Sequence, residues 1–160
     1  MKRSLFVFLV VSLFGIAACG SDDATTAEVF LIVSERDGDS EIFVTNSDGS
    51  DLLQLTNNDF RDFDPAWSPD GEKIAFASDG DGDSEIFVMN VDGSGVRQLT
   101  NNDVPDLYPL WSPDGEEIAF FGEFEKRRRM YKIHRSGSDL VMLGSYDLWF
   151  DWKDDPAEAS

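Results

Sequence analysis

Alternating carboxylates are the first residues in this chain whose types and spacing could do chemistry. They stand at Asp79-Gly-Asp81-Gly-Asp83-Ser-Glu85, with a shorter version at Asp37-Gly-Asp39-Ser-Glu41. Spaced oxygen ligands of this kind suit a hard cation such as calcium. The distal bidentate glutamate of a complete calcium loop is missing, and tight glycine turns with solvated carboxylates account for the same letters. Asp37, Asp39, Asp79, Asp81 and Asp83 are therefore candidate calcium ligands, while no cofactor is required. Opposite in sign stands Lys126-Arg127-Arg128-Arg129, four of the chain's 13 basic residues in a row. Guanidinium forks clasp carboxylates bidentately. The run is either a solvated face or a partner contact, to an acidic protein or to the acidic loops of a second copy, with Asp62 and Asp106 as further candidate contact residues.

Catalytic constellations are thin. His134 is the only histidine and falls, by the repeat described below, where Asn46 and Asn90 stand. The serines cluster in turns, and neither a nucleophile elbow nor a zinc motif is present. No enzymatic activity is expected. Lys plus Arg total 13 against 32 Asp plus Glu, a formal charge of −19. Such a surface repels nucleic acid and anionic lipid and favours cations or basic protein patches.

The N-terminus reads as a targeting segment. Lys2 and Arg3 precede an apolar run, Leu5 to Ala18, too short to span a bilayer comfortably. It ends in Ile16-Ala17-Ala18-Cys19, which resembles the bacterial lipobox. That resemblance implies cleavage before Cys19 and acylation of its thiol, an anchor held by several acyl chains. Cys19 is the only cysteine, so no intramolecular disulfide forms. Loss of residues 1–18 would take the formal charge from −19 to −21. Residues 19–27 are then the acylated cysteine and a small, polar tether, and residues 156–160 a tail. Gly20-Ser21 after the cysteine lacks the Asp that retains such proteins in the inner membrane of Gram-negative cells, which favours the outer membrane, periplasmic side.

An internal repeat organises the rest. Residues 34–77 align with 78–121 without a gap at 30 identities in 44 positions, and WSPDGEKIAF at Trp67 recurs as WSPDGEEIAF at Trp111. The same offset continues more faintly beyond 121. Each unit reads as four short strands. Ser68-Pro69-Asp70-Gly71 and Val91-Asp92-Gly93-Ser94 are hairpin turns, since Pro sets φ, Asp bonds locally and Gly accepts positive φ. Lettering the strands A to D, A strands are expected at 65–67, 109–111 and 150–152, and B strands at 29–33, 73–77 and 117–121. C strands are expected at 41–46, 85–90 and 130–134, and D strands at 53–56, 96–100 and 141–143. Trp67, Trp111 and Trp152, with Phe43, Phe87 and Tyr131, recur as blade core.

Asp-x-x-Pro-x-Trp-Ser-Pro-Asp-Gly, then Ile-Ala-Phe, Glu-Ile-Phe-Val-Met-Asn-x-Asp-Gly-Ser and Gln-Leu-Thr, resembles the TolB-type (WD-type) propeller repeat. The resemblance implies an all-β fold of propeller blades, each of four antiparallel strands, with three blades over residues 28–155. TolB has six blades and a separate N-terminal domain with no counterpart here, so the three blades are expected either to close one six-blade ring with a second copy or to stand as an open arc or a truncated propeller. A last A strand at 150–152 would pair with the first B strand, because Lys153-Asp154-Asp155-Pro156 replaces the usual hairpin turn. The implied function is a non-catalytic cell-envelope lipoprotein that binds or scaffolds protein, as TolB does with the peptidoglycan-associated lipoprotein. The alternatives are a substrate-gating propeller for a hydrolase partner and a glycan- or cation-binding module.

Overall fold

The computed structural model describes residues 7–15, 28–36, 38–80, 82–124 and 127–144. All regular structure there is β, in three antiparallel four-stranded sheets. The first sheet runs β1 (Val7–Gly15), β2 (Glu28–Ser34), β3 (Glu41–Asn46) and β4 (Leu53–Gln54). The second runs β5 (Asp62–Trp67), β6 (Lys73–Ser78), β7 (Glu85–Asn90) and β8 (Arg97–Gln98). The third runs β9 (Asp106–Trp111), β10 (Glu117–Phe124), β11 (Arg127–His134) and β12 (Val141–Gly144). Each is a meander whose neighbours in space are neighbours in sequence, the topology of a propeller blade.

Local chemistry explains the corners. In the turn after β5, Ser68 Oγ donates to Asp70 Oδ1 at 2.5 Å and accepts from the Lys73 amide at 2.9 Å, and Gly71 takes φ +71°. Ser112 and Asp114 repeat this after β9. These bonds hold the Asp70 and Asp114 carboxyls below the usual range, Ser68 and Ser112 being the largest cause. His134 does take the asparagine's place in the outer hairpin: its amide bonds Ser138 O at 2.9 Å, as that of Asn90 bonds Ser94 O at 2.8 Å.

Blades stack through apolar faces. Leu31, Ile42 and Leu55 of the first blade meet Ile74, Phe76 and Met89 of the second. Ala75, Ile86, Val88 and Leu99 of the second meet Trp111, Ile118, Phe120 and Ile133 of the third. Burying each large side chain contributes about 1.5–3 kcal/mol. Trp111 also donates its indole N–H to Ala66 O at 3.1 Å, tying the second and third blades at their innermost strands.

Four features depart from the expected strands, the first being the D strands β4 and β8, which span two residues each where 53–56 and 96–100 are expected. Val7–Gly15, read as a leader apart from the fold, pairs with β2 and fills the A position of the first blade. An apolar extended segment satisfies the main-chain groups that β2 would otherwise leave unpaired. The strand expected at 150–152 lies outside the described residues. The A strands β5 and β9 begin three residues earlier than expected, because a bulge with positive φ at Asp64 and Tyr108 breaks their alternation. Finally, Arg127–Arg129 belong to strand β11 and not to a loop, opposite Phe124, Glu123 and Gly122 of an extended β10.

Candidate functional site

The D-to-A connection of each blade dives between two sheets, and its buried backbone needs partners. At the first junction, the Ile42 amide donates to Thr56 Oγ1 at 2.9 Å, and Thr56 Oγ1 donates to Glu41 Oε2 at 2.5 Å. The Asn58 amide donates to Glu41 Oε1 at 2.8 Å, and Asn58 Nδ2 reaches Asp62 Oδ2 at 2.8 Å. Asp62 then donates its own amide to Ser40 O at 2.7 Å. Glu85, Thr100, Asn102 and Asp106 rebuild this set 44 residues on, with 2.5 Å between Thr100 Oγ1 and Glu85 Oε2 and 2.8 Å between Asn102 Nδ2 and Asp106 Oδ2.

The carboxyls at these junctions are deeply buried: Glu41 and Asp62 are each 1% exposed, Glu85 0% and Asp106 2%. Burial pushes Glu85 up to about 7, against the pull of the Thr100 hydroxyl and the Asn102 amide. Burial also raises Glu41, Asp62 and Asp106. Asp106 counts Asn102, Thr100 and Glu85 among its hydrogen-bond partners, and Asp62 counts Ser78, Asn58 and Thr56.

Beside each junction opens a groove at the blade periphery. The one between the first and second blades measures about 410 Å³, and its walls include Phe60, Phe76, Phe87 and Val96 with Asp62 and Asn58. The equivalent groove of the next junction, about 320 Å³, carries Val104, Phe120, Tyr131 and Leu140 with Asp106 and Asn102. Each contains a stacked aromatic pair, Phe76–Phe87 at 5.6 Å and Phe120–Tyr131 at 5.7 Å between ring centres.

The residues singled out from the sequence fall into separate places. Asp62 and Asp106, read as candidate partner-contact residues, are buried junction residues, because the strands start at them. Asp79 spends one oxygen on the Arg61 amide at 2.7 Å, closing the loop around the groove. Asp39 and Asp83 are half-buried, and Asp37 and Asp81 lie outside the described residues. Among the described residues no group of three or more His, Cys, Asp or Glu is arranged to hold a metal ion. Arg127 and Arg128 are exposed on β11, with Arg128 5.9 Å over the Tyr108 ring, while Cys19 and Lys126 lie outside the described residues. Sequence reasoning missed Glu41 and Glu85. Their signal was available: Glu-Ile-Phe-Val and Thr-Asn-Asn-Asp both recur unchanged in the repeat.

Three meandering sheets stacked through apolar faces, with polar locks at two successive junctions, define a set of β-propeller blades. The TolB beta propeller domain family matches residues 21–149, and the chain belongs to that family. A protein described as TolB from Agrobacterium tumefaciens is similar in structure, with 27% identity and a TM-score of 0.67 over 76% of this chain and 46% of that one. TolB from Acinetobacter baumannii shares 20% identity at a TM-score of 0.63, over 77% of this chain and 31% of that one. The blades of oligogalacturonate lyase from Vibrio parahaemolyticus superpose at a TM-score of 0.59 and 11% identity, over 89% of this chain and 49% of that one, a likeness of fold alone. The chain thus spans less than half the length of these structures. No curated protein matches the sequence.

Proposed function

We propose that the chain is a non-catalytic lipoprotein of the bacterial cell envelope, anchored through Cys19, whose TolB-type blades bind protein by strand addition. The observation that carries this reading is the pairing of β1 with β2. The lipobox at 16–19 assigns Val7–Gly15 to the part that is removed. Cleavage strips β2 of its partner and leaves a row of main-chain donors and acceptors, the template on which an added strand docks. In a homodimer the added strand is 150–152 of a second copy, and two sets of three blades share one ring.

A photoreactive residue at Phe30 on β2 tests this in cells. In the wild-type chain it should yield a protein adduct whose mass tells a second copy from another envelope protein. With Cys19→Ala the leader is retained, β2 stays covered, and the adduct should vanish. Equal adducts in both, or none in the processed chain, would overturn the proposal.

A further inference from the structure

We infer that the end of the blades bearing the C-to-D turns rests on a membrane, with one exposed aliphatic side chain per blade seated in the interface of a zwitterionic bilayer. The inference rests on the reading of the chain as lipid-anchored through Cys19 but uses a different surface from the β2 edge.

Three observations converge. The first is a repeat that packing does not explain. Leu52, Val96 and Leu140 stand 44 residues apart, each just before its D strand. They are 47%, 54% and 56% exposed, although Val96 and Leu140 also border the peripheral grooves. One exposed aliphatic on a protein surface is ordinary, but one kept at the same place in every blade makes a rim. Leu53 and Val141 widen that rim at the next position. Arg97, between them in the repeat, donates from Nη1 to Ser136 O at 2.8 Å and so fastens the second blade to the turn of the third.

The second observation is where the anchor enters. The A-to-B and C-to-D turns share one end of each blade: the Val91 amide donates to Glu72 O at 3.1 Å, and the Arg135 amide to Glu116 O at 2.9 Å. In the first blade the equivalent bond runs from the Ser47 amide to Glu28 O at 2.8 Å, and Glu28 opens β2. The chain arriving from Cys19 therefore joins the fold at the rim's own end. Eight residues, 20–27, lie between Cys19 and β2, a reach of at most about 30 Å. The acyl chains supply the affinity, which leaves the rim to set which end of the blades is turned toward the bilayer.

The third observation is charge. A formal charge of −19 repels anionic lipid, so the surface that fits is zwitterionic. The carboxylates beside the rim are engaged within their own turns. Asp48 Oδ1 accepts from the Ser50 amide and Asp92 Oδ1 from the Ser94 amide, both at 2.9 Å, and Asp139 Oδ2 accepts from Ser138 Oγ at 2.7 Å. At headgroup depth they stay hydrated while the aliphatic side chains reach the acyl boundary.

The acylated chain is reconstituted into phosphatidylcholine vesicles at about 0.15 M salt, where diffuse surface charge is screened. Acylation occupies the single native thiol, so one introduced cysteine takes a fluorophore selectively. Ser136→Cys places it in the exposed C-to-D turn of the third blade, and Asp103→Cys in an exposed D-to-A connection at the opposite end. With lipids brominated on their acyl chains, the label at 136 should be quenched about twofold or more and the label at 103 should not. Leu52→Ser, Val96→Ser and Leu140→Ser together, all at exposed positions, should remove most of the quenching at 136 while the chain still floats with the vesicles. Equal quenching at 136 and 103, or quenching at 136 unchanged by the three substitutions, would overturn the inference. A chain that floats with 136 unquenched would overturn this inference alone and return the rim to a protein partner. A chain that does not float would overturn the anchor and this inference together.

Discussion

The junction between the first and second blades and the junction between the second and third use the same glutamate, threonine, asparagine and aspartate, yet their surroundings differ in a coordinated way. At the first, Arg61 donates its amide to Asp79 Oδ1 at 2.7 Å, and the Asp79 amide donates to Arg61 O at 3.2 Å. At the second, Pro105 stands in place of Arg61 and has no N–H to give, and Glu123 stands in place of Asp79. Only the bond from the Glu123 amide to Pro105 O, at 3.1 Å, is kept. Removing a donor and its acceptor together leaves no polar group stranded, which is why the exchange is tolerated. The four junction residues have no such freedom: each satisfies another one that is buried.

The comparison is broken most forcefully at the threonines. Thr100→Val leaves the Ile86 amide without its partner and takes the shorter of two donors from Glu85 Oε2, which keeps Asn102 Nδ2 at 3.4 Å. At about 1–3 kcal/mol for the stranded amide and about 0.5–1.5 kcal/mol for the lost carboxylate bond, denaturant unfolding should show a loss of about 1.5–4.5 kcal/mol. Thr56→Val should lose as much, and unequal losses would show that the two locks are not interchangeable. The next effect separates Gly93 from its repeat partner Gly49. Both have φ near +80°, but a Cβ on Gly93 would stand 2.6 Å from Leu55 O, whereas Gly49 has open space. Gly49→Ala should cost about 1–2 kcal/mol for its left-handed backbone alone. Gly93→Ala should cost clearly more, because backbone of the first blade must shift. Equal values would mean that the turns do not report on blade stacking.

The smallest effect concerns protons. Glu85 is raised by burial from 4.5 to about 7, so between those values the folded state binds more protons than the unfolded chain. The resulting stability is fully present below about 4.5 and is lost as pH rises through about 7. Thermal unfolding across that window should show a falling Tm in the wild type and a flatter profile in Glu85→Gln. A Glu41→Gln variant should flatten its own share, since Glu41 is raised in the same direction. A wild-type Tm that climbs with pH over this window would contradict the buried, protonated glutamate.

Much of this fold was legible in the letters for a physical reason. SPDG and DGS encode local turns, and turns set strand register without help from distant residues. The repeat offset then placed β3, β6 and β7 within a residue of their observed limits. The A strands were harder, because positive φ at Asp64 and Tyr108 interrupts the two-residue alternation that marks a strand. The third C strand was foreshortened for a related reason: an extended hairpin sets Arg128 opposite Glu123, so the ladder continues through charged letters outside the expected 130–134. The candidate site was the least visible. Asp62, Glu41 and Glu85 carry letters that normally mean solvent, and only the three-dimensional need of a buried connection places them inside.

The junction bonds have a consequence for how the chain acquires its shape. Thr56 meets Glu41 across 15 residues, Asn58 meets Glu41 across 17, and Arg61 meets Asp79 across 18. Contacts this close in sequence form quickly, because little loop entropy is lost in closing them. Each lock also joins the end of one blade to the start of the next, so a finished blade offers its successor a prepared edge while synthesis continues. Assembly of this kind advances like a zip fastener, and it makes the 44-residue unit, not the whole ring, the quantity by which such a protein can lengthen or shorten without losing its way.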